Sequence, residues 1–105
     1  MTENLLVAMN EGNYNKFTQD LDSTMRGAFT EGVFSQTAST IKSKIGSYVS
    51  KEFWKAEREG SSISAYYKAR FTDEPADVIV KTVFSETGGR AYVSGLWFDS
   101  PKLRG

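Results

Sequence analysis

Proton-transfer chemistry in this chain falls to carboxylates and phenols, because its 105 residues include no histidine and no cysteine. The commonest general base and the commonest transition-metal ligand are therefore missing. Thiolate nucleophiles, disulfides and cysteine-held zinc or iron–sulfur groups are missing with them. What remains is a base such as Asp20, Asp22 or Asp99, acting with phenol donors from Tyr14, Tyr48 or Tyr67 around an oxygen that gains charge. Asp22 has a competing role. It stands where a helix starts, and a carboxylate there accepts free backbone N–H groups. Helix-start preferences favour the cap, so no catalytic residue is assigned and Asp22 is the nearest to one. Asp99, before Ser100-Pro101, reads as a turn residue. No phosphate-cradling glycine loop, nucleophile elbow or EF-hand spacing occurs, so neither metal nor cofactor is expected.

The aromatic residues offer a different chemistry. Trp54, Tyr66, Tyr67, Trp97 and Phe98 fall in the second half of the chain, and Tyr14, Phe17, Phe29 and Phe34 in the first. Aromatic walls with a few polar tips suit a small apolar or amphipathic ligand, although filling the core is the ordinary role of any one such residue. Tyr14, Phe17, Phe29, Tyr67 and Trp97 are the ligand-facing candidates. Tyr67 and Trp97 are the most informative, since a buried O–H or N–H needs a partner. Lys68, Arg70 and Lys81 read as a solvated sheet face, ion-paired across strands to Glu52, Glu57 or Glu86.

Thirteen basic and thirteen acidic residues balance to zero formal charge, and no basic cluster tracks a phosphate backbone, so nucleic acid is not an expected partner. No apolar run is long enough to span a membrane, and Met1–Met9 lacks the basic start of a signal peptide. A soluble, cytoplasmic protein is the expectation unless a leader or anchor has been removed. The length suits one domain over residues 1–105, with helices over about 2–45 and a sheet over about 47–99.

The punctuation supports that division. Helical spacing predicts Thr2–Glu11, stopped by Gly12, then Tyr14–Leu21, then a helix capped by Asp22 or Ser23. Gly32–Ser35 reads as a break, with Ser35 capping a fourth helix that buries Phe34, Ala38, Ile41 and Ile45 and ends at Gly46. Four strands follow: Tyr48–Arg58, Ile63–Thr72, Asp77–Glu86 and Arg90–Phe98. Alternation puts Ile63, Ala65, Tyr67, Ala69 and Phe71 on one face of the second, and Val78, Val80, Thr82 and Phe84 on one face of the third. In the last strand it puts Ala91, Val93, Gly95 and Trp97 inward and Tyr92, Ser94, Leu96 and Phe98 outward. An α+β fold is expected, with N-terminal helices packed on a curved four-stranded antiparallel sheet.

In its opening LLVAMNEGNYNKFTQDLDSTMRGAF, its junction IKSKIGSYVS and its ending GGRAYVSGLWFDSP, the chain resembles the nuclear transport factor 2-like superfamily, also called cystatin-like or ketosteroid-isomerase-like. Within that superfamily it is similar to a small prokaryotic family of unknown function. The resemblance extends over nearly the whole chain. It implies a cone of helices over the sheet, often with a pocket at the wide end, and places Asp22 at the mouth. It implies no activity, because such folds host isomerases, dehydratases and silent binders alike. Dehydratases of this kind pair an Asp with a His, and this chain has none.

Three readings follow. The first is a non-enzymatic module binding a small apolar or amphipathic ligand, or a peptide, in the cone. The second is a dimerisation or scaffold domain that uses the outer sheet face through Ile79, Val83, Leu96 and Phe98. The third is a ketosteroid-isomerase-like enzyme using Asp22.

Overall fold

A computed structural model describes residues 1–104. The order of elements is α1 (Thr2–Glu11), α2 (Tyr14–Thr18), α3 (Ser23–Ala28), α4 (Glu31–Ile45), β1 (Tyr48–Glu59), β2 (Ser62–Phe71), β3 (Glu74–Thr87), β4 (Arg90–Asp99) and α5 (Pro101–Arg104). The four strands form one antiparallel sheet in sequence order, so the expected α+β fold is the one observed. No helix among the described residues is long and apolar enough to cross a membrane.

Helix α1 turns Leu5, Leu6, Ala8 and Met9 inward. Two side chains fasten it to β1. Asn10 takes both backbone groups of Tyr48, donating to its carbonyl at 2.8 Å and accepting its N–H at 2.9 Å. The Tyr48 hydroxyl donates to Glu3 Oε1 at 2.6 Å. That bond and Lys51 hold the Glu3 carboxyl below the usual range against the effect of burial. Burial and the Glu3 partner push the Tyr48 phenol up. Helix α4 starts at Glu31, its cap five residues ahead of the expected Ser35. Thr30 is its cap, accepting the Val33 N–H at 3.3 Å, and Gly32 lies in the first turn, where a cap supplies what the glycine lacks.

Ala65, Ala69, Phe71, Val78, Val80 and Thr82 are buried on the helix-facing side of the sheet, as their alternation predicts. The Thr2 hydroxyl donates to that of Thr82 at 3.0 Å beneath α1. The last strand departs from simple alternation. Val83 pairs with Gly95 but Phe84 with Val93, so Ser94 is an extra residue in β4. Beyond it the phase inverts. Leu96 lies opposite Thr82 and Phe98 opposite Val80, both on the inner face and packed against the core. Trp97 lies opposite Lys81 on the outer face and is 54% exposed. The expected faces of Gly95, Leu96, Trp97 and Phe98 are thus exchanged. A β-carbon at Gly95 would run into the Trp97 indole lying across it.

The β2–β3 turn joins the two layers. Asp73 N–H donates to Ile45 O, Thr72 N–H to Ser47 O, and Ser47 N–H to Thr72 Oγ1, each at 2.9 Å. Gly46, with φ of 82°, faces this turn so closely that a β-carbon would meet Thr72 Oγ1 and the Asp73 carboxylate. Gly46→Ala therefore combines left-handed strain with a collision. It is expected to lower unfolding free energy by roughly 2–3 kcal/mol in a urea titration, and an unchanged midpoint would refute this account of the junction.

Candidate functional site

The helices and the inner end of β4 border an apolar cavity of about 260 Å³ that is half open to solvent. Phe17 of α2, Phe29 just after α3, and Phe34, Thr37 and Ile41 of α4 form one side. Leu96, Trp97 and Phe98 of β4 form the other, with Met9 and Leu103 at the margins. Phe17 is the hub of the aromatic wall, its ring 4.7 Å from that of Phe34 and 5.4 Å from that of Phe29. The Tyr14 hydroxyl donates to Phe29 O at 2.6 Å, and its ring lies 5.6 Å from Phe34. Tyr14 therefore positions the wall from behind. Thr37 supplies the one polar side chain in the lining, and no charged side chain contributes to it.

Of the five ligand-facing candidates, Phe17, Phe29 and Trp97 border the cavity. Trp97 does so by its place in β4, while its indole lies on the opposite face. Tyr67 is elsewhere: it packs edge-on against Phe53 at 5.8 Å near the open edge of β1, with the Lys51 ammonium 5.3 Å from its ring. Phe34 and Ile41 were legible as a buried helical stripe but not as cavity wall. Leu103 was missed entirely, because α5 replaces the expected turn after Asp99, with Ser100 Oγ accepting the Leu103 N–H at 3.3 Å.

None of the three carboxylates lines the cavity. Asp22 caps α3, accepting the Met25 N–H at 2.8 Å, and its own N–H donates to Val93 O at 2.9 Å. It sits in a separate open recess with Ser23, Arg26 and Tyr92. Asp20 pairs with Arg90 at 3.9 Å, and Asp99 with Arg104 at 3.2 Å. Among the described residues no cluster of His, Cys, Asp and Glu is arranged to hold a metal ion.

The outer sheet face carries a row that crosses all four strands. Lys55, Tyr66, Lys81 and Trp97 are successive cross-strand neighbours, with Trp54 beside Lys55 in a bulge of β1. The Lys81 ammonium lies 5.1 Å from the Trp97 ring and 5.7 Å from that of Tyr66, and Lys55 lies 4.9 Å from Tyr66. Ile79 and Val83 sit half-buried on this same face. Its ion pairs are Lys55–Glu57 at 3.4 Å and Arg70–Asp77 at 3.5 Å.

Helices on one face of an open four-stranded sheet define an α+β protein of a kind already seen in crystals. The crystal structure of a DUF4783 family protein from Bacteroides uniformis is similar, with a TM-score of 0.56 at 16% identity, covering 93% of this chain and 94% of that one. At that identity the likeness concerns the fold. The sequence itself matches the family described as protein of unknown function (DUF3887) over residues 2–88, and the chain belongs to that family. No curated protein matches it.

Because Asp22 caps α3, Asp22→Ala is expected to cost about 1 kcal/mol of stability by thermal or urea unfolding. A loss well beyond that would show that the carboxylate has a larger role than the Met25 bond.

Proposed function

We propose that the chain is a non-catalytic binding module that takes a small apolar ligand into the cavity between α4 and β4. The observation that carries this reading is the cavity itself: about 260 Å³, with nine apolar lining residues and a single hydroxyl. An apolar cavity of about 150 Å³ is enough to bind benzene, so this one suits a bicyclic hydrocarbon or a short alkyl chain. The Thr37 hydroxyl makes no hydrogen bond among the described residues and can receive one polar tip. The order of elements is in keeping with the nuclear transport factor 2-like resemblance, in which pockets of this kind recur. Asp22, engaged in its cap, gives the isomerase reading little support. Titration of the ¹⁵N-labelled protein with naphthalene is expected to shift amides of α4, the end of β4 and α5. Absent shifts, or shifts spread along β1 and the hairpin turns, would sink the reading.

A second reading is self-association through the outer sheet face. The exposed Trp54 and Trp97, with Tyr66, Ile79 and Val83 between them, form a patch of the aromatic-rich kind that interfaces favour. Leu96 and Phe98 face the cavity and do not contribute side chains to it. Sedimentation equilibrium is expected to give a dimer that Val83→Glu dissociates. A wild-type monomer at high concentration would remove this reading.

A further inference from the structure

We propose that the outer sheet face is a docking surface for single-stranded nucleic acid. Trp97, Tyr66 and Trp54 are its stacking platforms, and Lys81, Lys68 and Lys55 its phosphate partners. None of this depends on the cavity. The first support is the posture of Trp97. Its indole lies across Gly95, yet the residue is 54% exposed. One side of the ring therefore rests on the strand and the other meets solvent. A ring held this way presents a π face, on which a nucleobase of any identity can stack. Insertion into a lipid interface, about 5–10 Å deep, needs side chains that project instead. The second support is register. Lys55, Lys68 and Lys81 come from three strands, so no basic run marks them in the sequence, and antiparallel pairing gathers them. Tyr66 and Trp97 are the two cross-strand neighbours of Lys81. At strand spacings of about 4.8 Å their positions lie about 10 Å apart with Lys81 between them. Two bases stacked on these rings bring the phosphate that links them to the Lys81 ammonium.

The third support is the distribution of charge. Glu57, Asp77 and Asp99 each hold a basic partner, at 3.4, 3.5 and 3.2 Å. Lys68 and Lys81 form no ion pair among the described residues, and Glu52, opposite Lys68 in register, is no exception. Their ammonium groups rest against rings instead: Lys68 lies 5.1 Å from Trp54, and Lys81 lies 5.1 Å from Trp97 and 5.7 Å from Tyr66. Exposed contacts of that kind are weak and leave the charge available to an anion. A second copy of this face brings the same two ammonium groups, whereas a phosphate chain brings the charge they lack. The whole chain is neutral, so the attraction is confined to the row and amounts to two or three phosphates.

Both tryptophans of the chain lie in the row, so their fluorescence reports on it alone. The test titrates an oligothymidylate of about eight nucleotides into the wild type, Trp97→Ala and Lys81→Gln at several salt concentrations. In the wild type, quenching is expected to saturate. Log affinity should fall with log salt at a slope of about −2, as two or three phosphate contacts at roughly 0.7 each require. Trp97→Ala, read through Trp54, is expected to weaken binding roughly tenfold. Lys81→Gln is expected to weaken it and to flatten the salt slope by about 0.7. If Trp97→Ala does not fold, Lys81→Gln decides alone. A wild type that shows no quenching overturns the proposal, as does unchanged affinity in either folded variant. Quenching by phosphatidylglycerol vesicles but not by the oligonucleotide gives the face to a membrane surface and overturns it too. So does a dimer, dissociated by Val83→Glu, that persists at saturating oligonucleotide, because the row cannot be covered twice.

Discussion

A strand has a side-chain period of two, so one added residue sends every later side chain to the opposite face. Ser94 is that residue in β4, and the cavity depends on it. Before it, Val93 points into the core. After it, Leu96 and Phe98 point inward to become cavity wall, and Trp97 points outward. The site of the insertion is held from the helical side. Asp22 N–H donates to Val93 O at 2.9 Å and Val93 N–H to Asp20 O at 2.7 Å, which ties residues 20–22 along the edge of β4 as a short parallel bridge. The segment that caps α3 and the bulge that phases β4 therefore fix one another. Without the bulge, a tryptophan would enter a space that two smaller side chains now border.

The same insertion explains the outer face. Trp97 needs room, and Gly95 provides it by having no side chain. The indole then completes a row in which ammonium groups alternate with rings across the sheet. Each such contact on an exposed surface contributes about 0.5–1 kcal/mol. Within the row Trp54 and Tyr66 also pack edge-on, their rings 6.2 Å apart. The two faces of β4 are thus set by one event, an apolar wall inside and a cation–aromatic row outside.

Most of the architecture was legible because it is local. Gly12 and Gly46 stop helices, Asp22 begins one, and the Gly88-Gly89 pair turns a hairpin with φ of 61° and 79°. The inner faces of β2 and β3 followed from strict alternation. What was not legible is non-local. Nothing in SGLWF marks Ser94 as unpaired, since that depends on the register of β3 and on residues 20–22 docking beside it. Gly32–Ser35 reads as a break because Gly32 weakens the helix pattern, and the Thr30 cap outweighs it. The turn signal Ser100-Pro101 is also a cap followed by proline at the first helical position, and the two cannot be told apart without Glu74 opposite. The cavity inherits all three uncertainties, because its walls come from α4, β4 and α5.

The acidic groups the chain might have used for chemistry have structural partners instead. Glu3 accepts from Tyr48, Asp20 pairs with Arg90, Asp22 caps α3, Glu74 holds α5, and Asp99 pairs with Arg104. No buried side-chain polar atom among the described residues is left without a partner. The pocket lining holds no carboxylate, and its one hydroxyl does not take up a proton near neutral pH. What the pocket presents is apolar area and shape.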